Sequence, residues 1–235
     1  MSEMVKGFFI TGTDTEVGKT HVSTQLIKGF SERAVTVSGY KPVASGAELV
    51  KGRWVNEDAL SLMHYASVQM PYGTVNPYCF EPAIAPHLAA KRAGIEIELD
   101  TIKSNFLKHV EHADVVIVEG AGGWKVPLGD DLGFEEVPKE LALPVVLVVG
   151  LKLGCINHAL LTEQAILSSG CQLVGWVANC IDSEFEEIEE NILTLKNKMR
   201  FPCIGILQHH VYEPVKPHIT DSNIETTLDY LMNFG

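Results

Sequence analysis

Apolar runs of strand length alternate along this chain with segments that place apolar residues at helical spacing. The strand-like runs are GFFIT (7–11), AVTVSGY (34–40), VVIVEG (115–120), PVVLVVG (144–150), LVGWVAN (173–179) and CIGIL (203–207). Nearly continuous apolar strands separated by helices are typical of a parallel sheet that is covered on both faces. The pattern predicts an α/β fold with a mostly parallel sheet, and it places ligands at the carboxyl ends of the strands.

The predicted helices fill the gaps between these strands. Their predicted starts are Gly18, Asn56, Leu99, Cys155 and residue 184. Asn56 is a candidate N-cap for a helix that runs to about residue 66. Two apolar stripes are expected to face the core, namely Val22, Leu26, Ile27 and Phe30, and Leu99, Ile102, Phe106, Leu107 and Val110. Residues 67–98 are rich in Pro and Gly and predict a long excursion with a short helix over about 86–93. No linker is visible, so a single domain over residues 1–235 is expected.

The segment between the first strand and the first helix reads GTDTEVGKT (12–20). Gly18-Lys19-Thr20 at such a junction is typical of a phosphate-binding P-loop, where backbone N–H groups at a helix start favour anions. Lys19 would then reach the β- and γ-phosphates, and the Thr20 hydroxyl would bind Mg²⁺. A glycine-rich turn with an exposed lysine is the alternative.

Two features of this loop are unusual for a phosphate site. Its two glycines are separated by five residues instead of four, and Asp14 and Glu16 lie between them. Two unit charges ~4 Å apart near a protein surface interact by about 4 kcal/mol, which is repulsive between carboxylate and phosphate. We therefore expect Glu16 to face a second, cationic substrate, and Asp14 has no predicted role.

Further polar residues follow other strands. Glu119 ends a strand and resembles a Walker B carboxylate, Asp58 lies in the first turn of a helix, and Lys41 follows a strand. A lysine beside a phosphate site can stabilise charge on a transferring phosphoryl group. The alternatives stay open: Asp58 complements a helix dipole, Lys41 is a surface lysine, and Ser45 and Asn179 are turn residues. Asn179 is also a candidate for pairing with adenine.

Composition narrows the choice of partners. The formal net charge of −12 argues against nucleic acid or an anionic membrane as the main partner. The five cysteines show no C-x-x-C spacing, which favours reduced thiols in a cytoplasmic protein. The N-terminal MSEMVKG does not resemble a signal peptide, and the longest apolar run, 141–151, is too short to span a bilayer.

Several segments match one known enzyme family in order and in sequence. They are GTDTEVGKT (12–20), GYKPVASG (39–46), TVNPY (74–78), APH (85–87), VEGAGGW (118–124), PVVLVVGLKLGCINHALLT (144–162) and GWVAN (175–179). Together they resemble the dethiobiotin synthetase family, and the combination of YKPVASG with GCINHA is highly specific. The resemblance implies a homodimeric P-loop NTPase-like fold. It also implies the reaction of 7,8-diaminononanoate, CO₂ and ATP, with Mg²⁺, to give dethiobiotin, ADP and phosphate.

The resemblance also implies a role for individual residues. The residues implied in catalysis are Lys41, Lys19, Thr15 and Glu16. Those implied in ATP binding are Glu16, Val17, Gly18, Lys19, Thr20, His21, Asp58, Glu119, Gly120, Ala121, Gly122, Asn179, Cys180, Leu207 and Gln208. Mg²⁺ would be held by Thr20, Asp58 and Glu119. Substrate would be bound by Ser45, Thr15, Gly154, Cys155, Ile156 and Asn157, the last four from the other subunit.

The sequence departs from the family pattern in one segment, and it is also compatible with two other functions. After Gly205 the family usually has an acid and then Ile-Pro-Trp beside adenine, whereas this chain reads Ile206-Leu207-Gln208-His209, so nucleotide preference stays open. One alternative is a P-loop switch ATPase of the partitioning or cluster-assembly type, which often has a second lysine where this chain has Thr13. The other alternative is a small-molecule kinase.

Overall fold

The computed structural model describes residues 7–182, 184–208 and 224–234. Its strands are β1 (Gly7–Gly12), β2 (Val37–Tyr40), β3 (Val43–Ser45), β4 (Glu48–Val50), β5 (Arg53–Val55), β6 (Tyr78–Phe80), β7 (Val115–Glu119), β8 (Val145–Gly150), β9 (Leu173–Asn179) and β10 (Cys203–Leu207). Its helices are α1 (Lys19–Glu32), α2 (Glu57–Tyr65), α3 (Tyr72–Val75), α4 (Pro86–Ala93), α5 (Leu99–Val110), α6 (Glu136–Glu140), α7 (Cys155–Ser168), α8 (Ile188–Lys198) and α9 (Ile224–Met232).

Six strands form one parallel sheet in the order β10-β9-β8-β1-β7-β2. β1 lies between β7 and β8, and Ile10 of β1 is in register with Glu119 at the end of β7. All carboxyl ends of a parallel sheet lie at one edge, so the segments that follow β1, β2 and β7 meet there. This arrangement confirms the predicted α/β fold.

Apolar side chains are buried on both faces of this sheet. Phe9, Val118 and Leu147 belong to one core cluster, while Ile10 and Val148 belong to a second. Alternating residues of one strand thus enter different clusters, as expected for a sheet covered on both sides. The stripe predicted in α1, Val22, Leu26, Ile27 and Phe30, is buried as expected.

Several predicted boundaries agree with the structure and others need correction. α4 and β9 have the predicted limits, and α2 begins after Asn56, whose side chain accepts a hydrogen bond from the Ala59 N–H. The second strand begins at Val37 and not at residue 34, because Ala34 has a positive φ of 60° that leaves the extended region. α8 begins at Ile188 instead of residue 184.

One residue that the sequence predicts in the core lies on the exposed side of its helix. Leu107 of α5 is 49% exposed, whereas Ile102 and Phe106 are buried. The buried face of this helix also carries polar residues, Asn105 and His109. The apolar stripe alone therefore does not identify the buried face of α5, because two of the buried positions are polar.

All five cysteines lie within the described residues and are free thiols, as predicted. Trp124 and Trp176 are buried. In the part of the chain that the structure describes, no helix has the length and apolar character needed to cross a bilayer.

His109 is a buried histidine held between two elements. Its Nε2 lies 3.3 Å from the Thr74 carbonyl, which only accepts, so Nε2 carries the proton and Nδ1 accepts from the Ser38 hydroxyl at 2.6 Å. Burial lowers its pKa from 6.5 to about 4, against the Thr74 hydrogen bond and with small contributions from His112 and Lys108. The neutral ring is therefore the form that fits the folded protein.

We expect this histidine to make stability fall in mild acid. Its contribution is complete above pH 6.5 and is lost as the pH falls towards about 4, because the unfolded chain binds the proton first. The loss reaches about 3 kcal/mol. Urea unfolding at a series of pH values should show this slope in the wild type and not in His109→Gln, with His112→Gln as the exposed control. The same slope in both variants would contradict the assignment.

Candidate active site

The loop between β1 and α1 has the closed shape of an anion-binding loop. Gly18 precedes α1 with φ 84°, and a Cβ at this position would collide with the Asn179 side-chain amide. Glycine is required here for both reasons. Glu16 also has a positive φ of 58°, which is unusual for a residue other than glycine. Gly18, Lys19 and Thr20 at the start of α1 line the adjoining cavity, and the first N–H groups of a helix have no acceptor within the helix and favour anions.

Asp14 and Lys19 are tied together within this loop. The Lys19 Nζ donates to the Asp14 carbonyl at 2.9 Å, and the Asp14 Oδ1 accepts from the Thr15 N–H at 2.8 Å. The other carboxylate oxygen of Asp14 lies 3.7 Å from the Lys152 Nζ. Asp14, for which the sequence suggested no role, therefore shapes the loop and faces a lysine instead of the phosphate position.

Lys41 lies at the centre of a buried group of charges. Its Nζ donates to Asp58 Oδ2 at 2.8 Å, to Glu119 Oε1 at 2.6 Å and to the Gly120 carbonyl at 3.1 Å. The Thr20 hydroxyl lies 2.7 Å from Asp58 Oδ1 and 2.9 Å from the same Glu119 oxygen. Residues from four separate segments thus meet at the carboxyl edge of the sheet.

The backbone of Lys41 is fixed by the segment that follows α3. Its N–H donates to the Val75 carbonyl at 2.9 Å, and its carbonyl accepts from the Asn76 side chain at 2.7 Å. The Asn76 Oδ1 accepts in turn from the Tyr72 hydroxyl at 2.8 Å. Asn76 is a positioning residue that sequence reasoning missed, although it lies in the TVNPY segment (74–78) that carried part of the family resemblance.

Electrostatics differ for the two lysines of the site. Burial and the neighbouring Lys41 charge lower the pKa of Lys19 to about 8, although Glu119, Asp58 and Asp14 act in the opposite direction. Burial also opposes the charge of Lys41, but Glu119 and Asp58 outweigh it and raise the Lys41 pKa. Lys41 is therefore a permanent cation, and Lys19 gains charge stability from any anion that enters beside it.

Both lysines line a cavity of about 780 Å³. The predicted site residues that line it are Thr15, Glu16, Gly18, Lys19, Thr20, Lys41, Ser45, Asp58, Ala121 and Gly122. Lining residues that were not predicted are Ala44, Asn56, Ala83, Ile84, Ala85, Pro86, Lys125, Val126 and Pro127. The lining thus combines charged and hydroxyl-bearing residues with apolar residues, of which Ile84, Pro86, Val126 and Pro127 are here called the apolar wall, and this suits a ligand with a polar end and an aliphatic part.

Three predicted site residues lie beside the cavity without lining it. Glu119 and Gly120 accept hydrogen bonds from the Lys41 Nζ, and the Asn179 Nδ2 donates to the Val17 carbonyl at 2.9 Å. Asn179, which the sequence suggested for adenine, holds the loop in place through this hydrogen bond.

The remaining predicted residues are not among those that line the cavity. Val17 is buried, His21 lies in the first turn of α1, and the Cys180 N–H donates to the Leu207 carbonyl at 2.9 Å, next to Gln208. Gly154, Cys155, Ile156 and Asn157 form the start of α7 and are not among the residues that line the cavity. The segment with His209, which bears on the adenine side, lies partly outside the described residues.

The oxygen atoms of this site are of the kind that a hard divalent cation prefers. Thr20, Asp58 and Glu119 offer a hydroxyl and two carboxylates within one cluster. Glu119 Oε2 is a buried oxygen with no hydrogen-bond partner among the described residues. A buried carboxylate oxygen without a hydrogen bond is stabilised by a cation or a water molecule, so the residues present fit a metal ion.

Curated relatives of this chain share most of its length. An enzyme of Nitrosospira multiformis, named ATP-dependent dethiobiotin synthetase, is 48% identical over 206 residues, which are 88% of this chain and 89% of the relative. One of Aromatoleum aromaticum with the same name is 44% identical over 204 residues, 87% of this chain and 91% of the relative. The chain belongs to the dethiobiotin synthetase family. The resemblance seen in the sequence is thereby confirmed, and a broader family model described as AAA domain matches residues 6–228.

Solved structures support the fold of this dethiobiotin synthetase family member. The MinC:MinD cell division protein complex of Aquifex aeolicus aligns with a TM-score of 0.54 and 14% identity, over 96% of this chain and 86% of that chain. The cell division protein FtsY of Thermotoga maritima aligns with a TM-score of 0.53 and 15% identity, over 100% of this chain and 70% of that chain. At such low identity the likeness concerns the fold alone, and it agrees with the predicted P-loop NTPase-like architecture.

Proposed function

We propose that this protein is an ATP-dependent dethiobiotin synthetase of biotin biosynthesis. It carboxylates 7,8-diaminononanoate with CO₂ and closes the ureido ring, with release of ADP and phosphate. The whole chain, residues 1–235, acts as one catalytic domain, and it works in the cytoplasm. The relatives named for this activity support the proposal, and so does the site geometry.

The observation that carries the proposal is the shared cavity of the two lysines. Lys19 and Lys41 line the same space as the start of α1 and as Thr15, Glu16 and Ser45. A triphosphate at the loop would place its γ-phosphate between two ammonium groups, and the acid and hydroxyls would face an amine. Glu16 is among the residues that line this cavity, which supports the proposal that its carboxylate faces the amine of the substrate.

The apolar wall of the cavity suits the aliphatic chain of the diamine. Ile84, Pro86, Val126 and Pro127 offer a surface for methylene groups, each of which gains about 0.8 kcal/mol when buried. A substrate with two amines at one end and a carboxylate at the other would thus lie with its amines near Lys41. A protein-partner ATPase of the partitioning type has no need of such a wall.

Mg²⁺ is the metal ion that we propose for the oxygen cluster. Thr20, Asp58 and Glu119 would hold it, and the buried Glu119 Oε2 supplies an oxygen that lacks a hydrogen bond among the described residues. When bound, the ion neutralises negative charge on the β- and γ-phosphate oxygens.

We propose the following roles for the chain's own residues in the chemical steps. An amine nitrogen of the substrate bonds to CO₂ and loses a proton to give a carbamate, which Thr15 and Ser45 would hold by hydrogen bonds. A carbamate oxygen then bonds to the γ-phosphorus as the bond to ADP breaks, and Lys19 and Lys41 stabilise the charge on the transferring group. The second amine bonds to the carbonyl carbon and loses a proton to the solvent, the bond from that carbon to the phosphate oxygen breaks, and phosphate leaves as the ring is closed.

A homodimer would complete the site. Gly154, Cys155, Ile156 and Asn157 lie at the start of α7, whose free N–H groups suit a carboxylate. Because they are not among the cavity-lining residues of their own chain, we propose that they receive the substrate carboxylate in the partner's site. The nucleotide would contact Val17, Gly18, His21, Gly120 to Gly122, Asn179, Cys180, Leu207 and Gln208.

A diamine-dependence assay tests this function. We expect 7,8-diaminononanoate with bicarbonate to stimulate ADP release from Mg-ATP, because the phosphoryl acceptor is the carbamate that these two form. Coupled ADP detection with each component omitted in turn measures the effect. Omission of bicarbonate separates this activity from that of a kinase, which needs no CO₂, and a rate equal to that with ATP alone would refute the proposal.

A further inference from the structure

The two carboxylates proposed for the metal are already engaged by a cation of the chain itself. The Lys41 Nζ lies 2.8 Å from Asp58 Oδ2 and 2.6 Å from Glu119 Oε1. The Lys41 side chain is only 3% exposed and that of Glu119 is 0% exposed. The ammonium group is thus buried beside Glu119, where little water can screen a second charge, while Asp58 on its other side is 41% exposed.

A divalent ion and this ammonium group would compete for the same oxygens. Asp58 Oδ1 and Glu119 Oε1 also lie within hydrogen-bond distance of the Thr20 hydroxyl, so three of the four carboxylate oxygens have close partners. A metal held by Thr20, Asp58 and Glu119 would therefore lie close to the Lys41 Nζ, and like charges this near each other in a buried site repel strongly. Of these two cations, the ammonium group is the one that can move away, because it is attached to a flexible side chain.

We propose that Lys41 and the divalent ion alternate on the carboxylates of Asp58 and Glu119. Without the ion, the Lys41 ammonium neutralises one of the two negative charges and is held away from the phosphates. Entry of the ion releases Nζ into the cavity that Lys41 lines, where it faces the transferring phosphoryl group. The inference rests on the metal site of the proposed function and adds that the catalytic lysine becomes available only when the metal has bound.

This exchange leaves a cation beside the two carboxylates at each stage. Before the exchange, one ammonium group beside two carboxylates gives a net charge of about −1. After it, the divalent ion compensates the carboxylates, and the released ammonium group has the negative phosphates as its new partner. Lys19 differs in this respect, because its Nζ donates to the Asp14 carbonyl and to neither acid. Lys19 therefore offers a matched control with a similar charge in the same cavity.

Direct Mn²⁺ binding without nucleotide tests the exchange, by electron paramagnetic resonance of the free ion. Lys41→Met should bind Mn²⁺ at least about tenfold more tightly than the wild type, and Lys19→Met should change the affinity several-fold less. An equal increase in Mn²⁺ affinity in the two variants would show that removal of any nearby positive charge is sufficient, and it would overturn the proposal. Absence of Mn²⁺ binding in both the wild type and Lys41→Met would overturn it as well.

A crystal of the wild-type protein soaked with Mn²⁺ keeps the test independent of variant folding. We expect the Lys41 Nζ to lie beyond hydrogen-bond distance of both carboxylates when Mn²⁺ is present. An Nζ that still contacts both acids beside the bound ion would overturn the exchange. The diamine-dependence assay is separate, so a protein that exchanges cations but shows no diamine stimulation would refute the proposed function alone.

Discussion

Replacement of Lys41 with glutamine is expected to lower kcat by about 10²–10³-fold, while the Kd for nucleotide changes by less than about threefold. The ammonium group is proposed to act on charge that develops during phosphoryl transfer, so its loss affects the transition state more than the ground state. Steady-state ADP release with diamine and bicarbonate measures the first effect. Calorimetric titration with a non-hydrolysable ATP analogue measures the second.

Lys28→Gln is the matched control for this substitution. Lys28 lies on α1, as Lys19 does, but its side chain is 55% exposed and its partner Glu32 is 3.9 Å away on the same helix. Exposed pairs of this kind contribute less than about 1 kcal/mol, so the control should retain both kcat and stability. A kcat for Lys41→Gln within about threefold of the wild type would remove Lys41 from the catalytic step.

The second large effect is expected in stability, from Glu119→Gln. Glu119 is fully buried and its Oε1 lies 2.6 Å from the Lys41 Nζ, so its neutralisation leaves a buried ammonium group with one remaining acid. Loss of one partner of a buried ion pair costs about 3–5 kcal/mol, and we expect about 3 kcal/mol because Asp58 remains. This corresponds to a fall in Tm of about 6–12 °C for a chain of this size.

Thermal and urea unfolding without nucleotide or metal measure this effect, with Asp58→Asn as the comparison. The Asp58 side chain is 41% exposed, so water can compensate part of its loss and we expect a destabilisation of about 1 kcal/mol. Equal losses in the two variants would show that the burial of Glu119 does not determine the strength of this pair.

The convergence of the site was predictable because of the parallel sheet. Lys19, Lys41 and Glu119 each follow or end a strand, and parallel strands bring their carboxyl ends to one edge. Asp58 joins them because Asn56 caps the helix that carries it, and such a cap is visible in the sequence. These positions depend on long, strongly patterned elements, which local sequence determines well.

Other parts of the site depend on contacts that local pattern does not encode. β3, β4, β5 and β6 have three residues each, too few to show an alternation of apolar and polar positions. The apolar wall around Ile84 and Val126 comes from loops whose path is set by tertiary packing. The role of Asn76 is likewise a hydrogen bond to a backbone carbonyl 35 positions away, which no spacing rule predicts.

The hydrogen bond between the Asn179 amide and the Val17 carbonyl joins residues that are 162 positions apart. The phosphate loop is complete in the first 20 residues of the chain, but this anchor comes from the end of β9. A nascent chain that has emerged only as far as β8 would contain every atom of the loop but not the Asn179 side chain that holds the loop in its folded conformation. Nucleotide capture should therefore appear late in synthesis, when β9 has docked, and it would report that the sheet has been assembled.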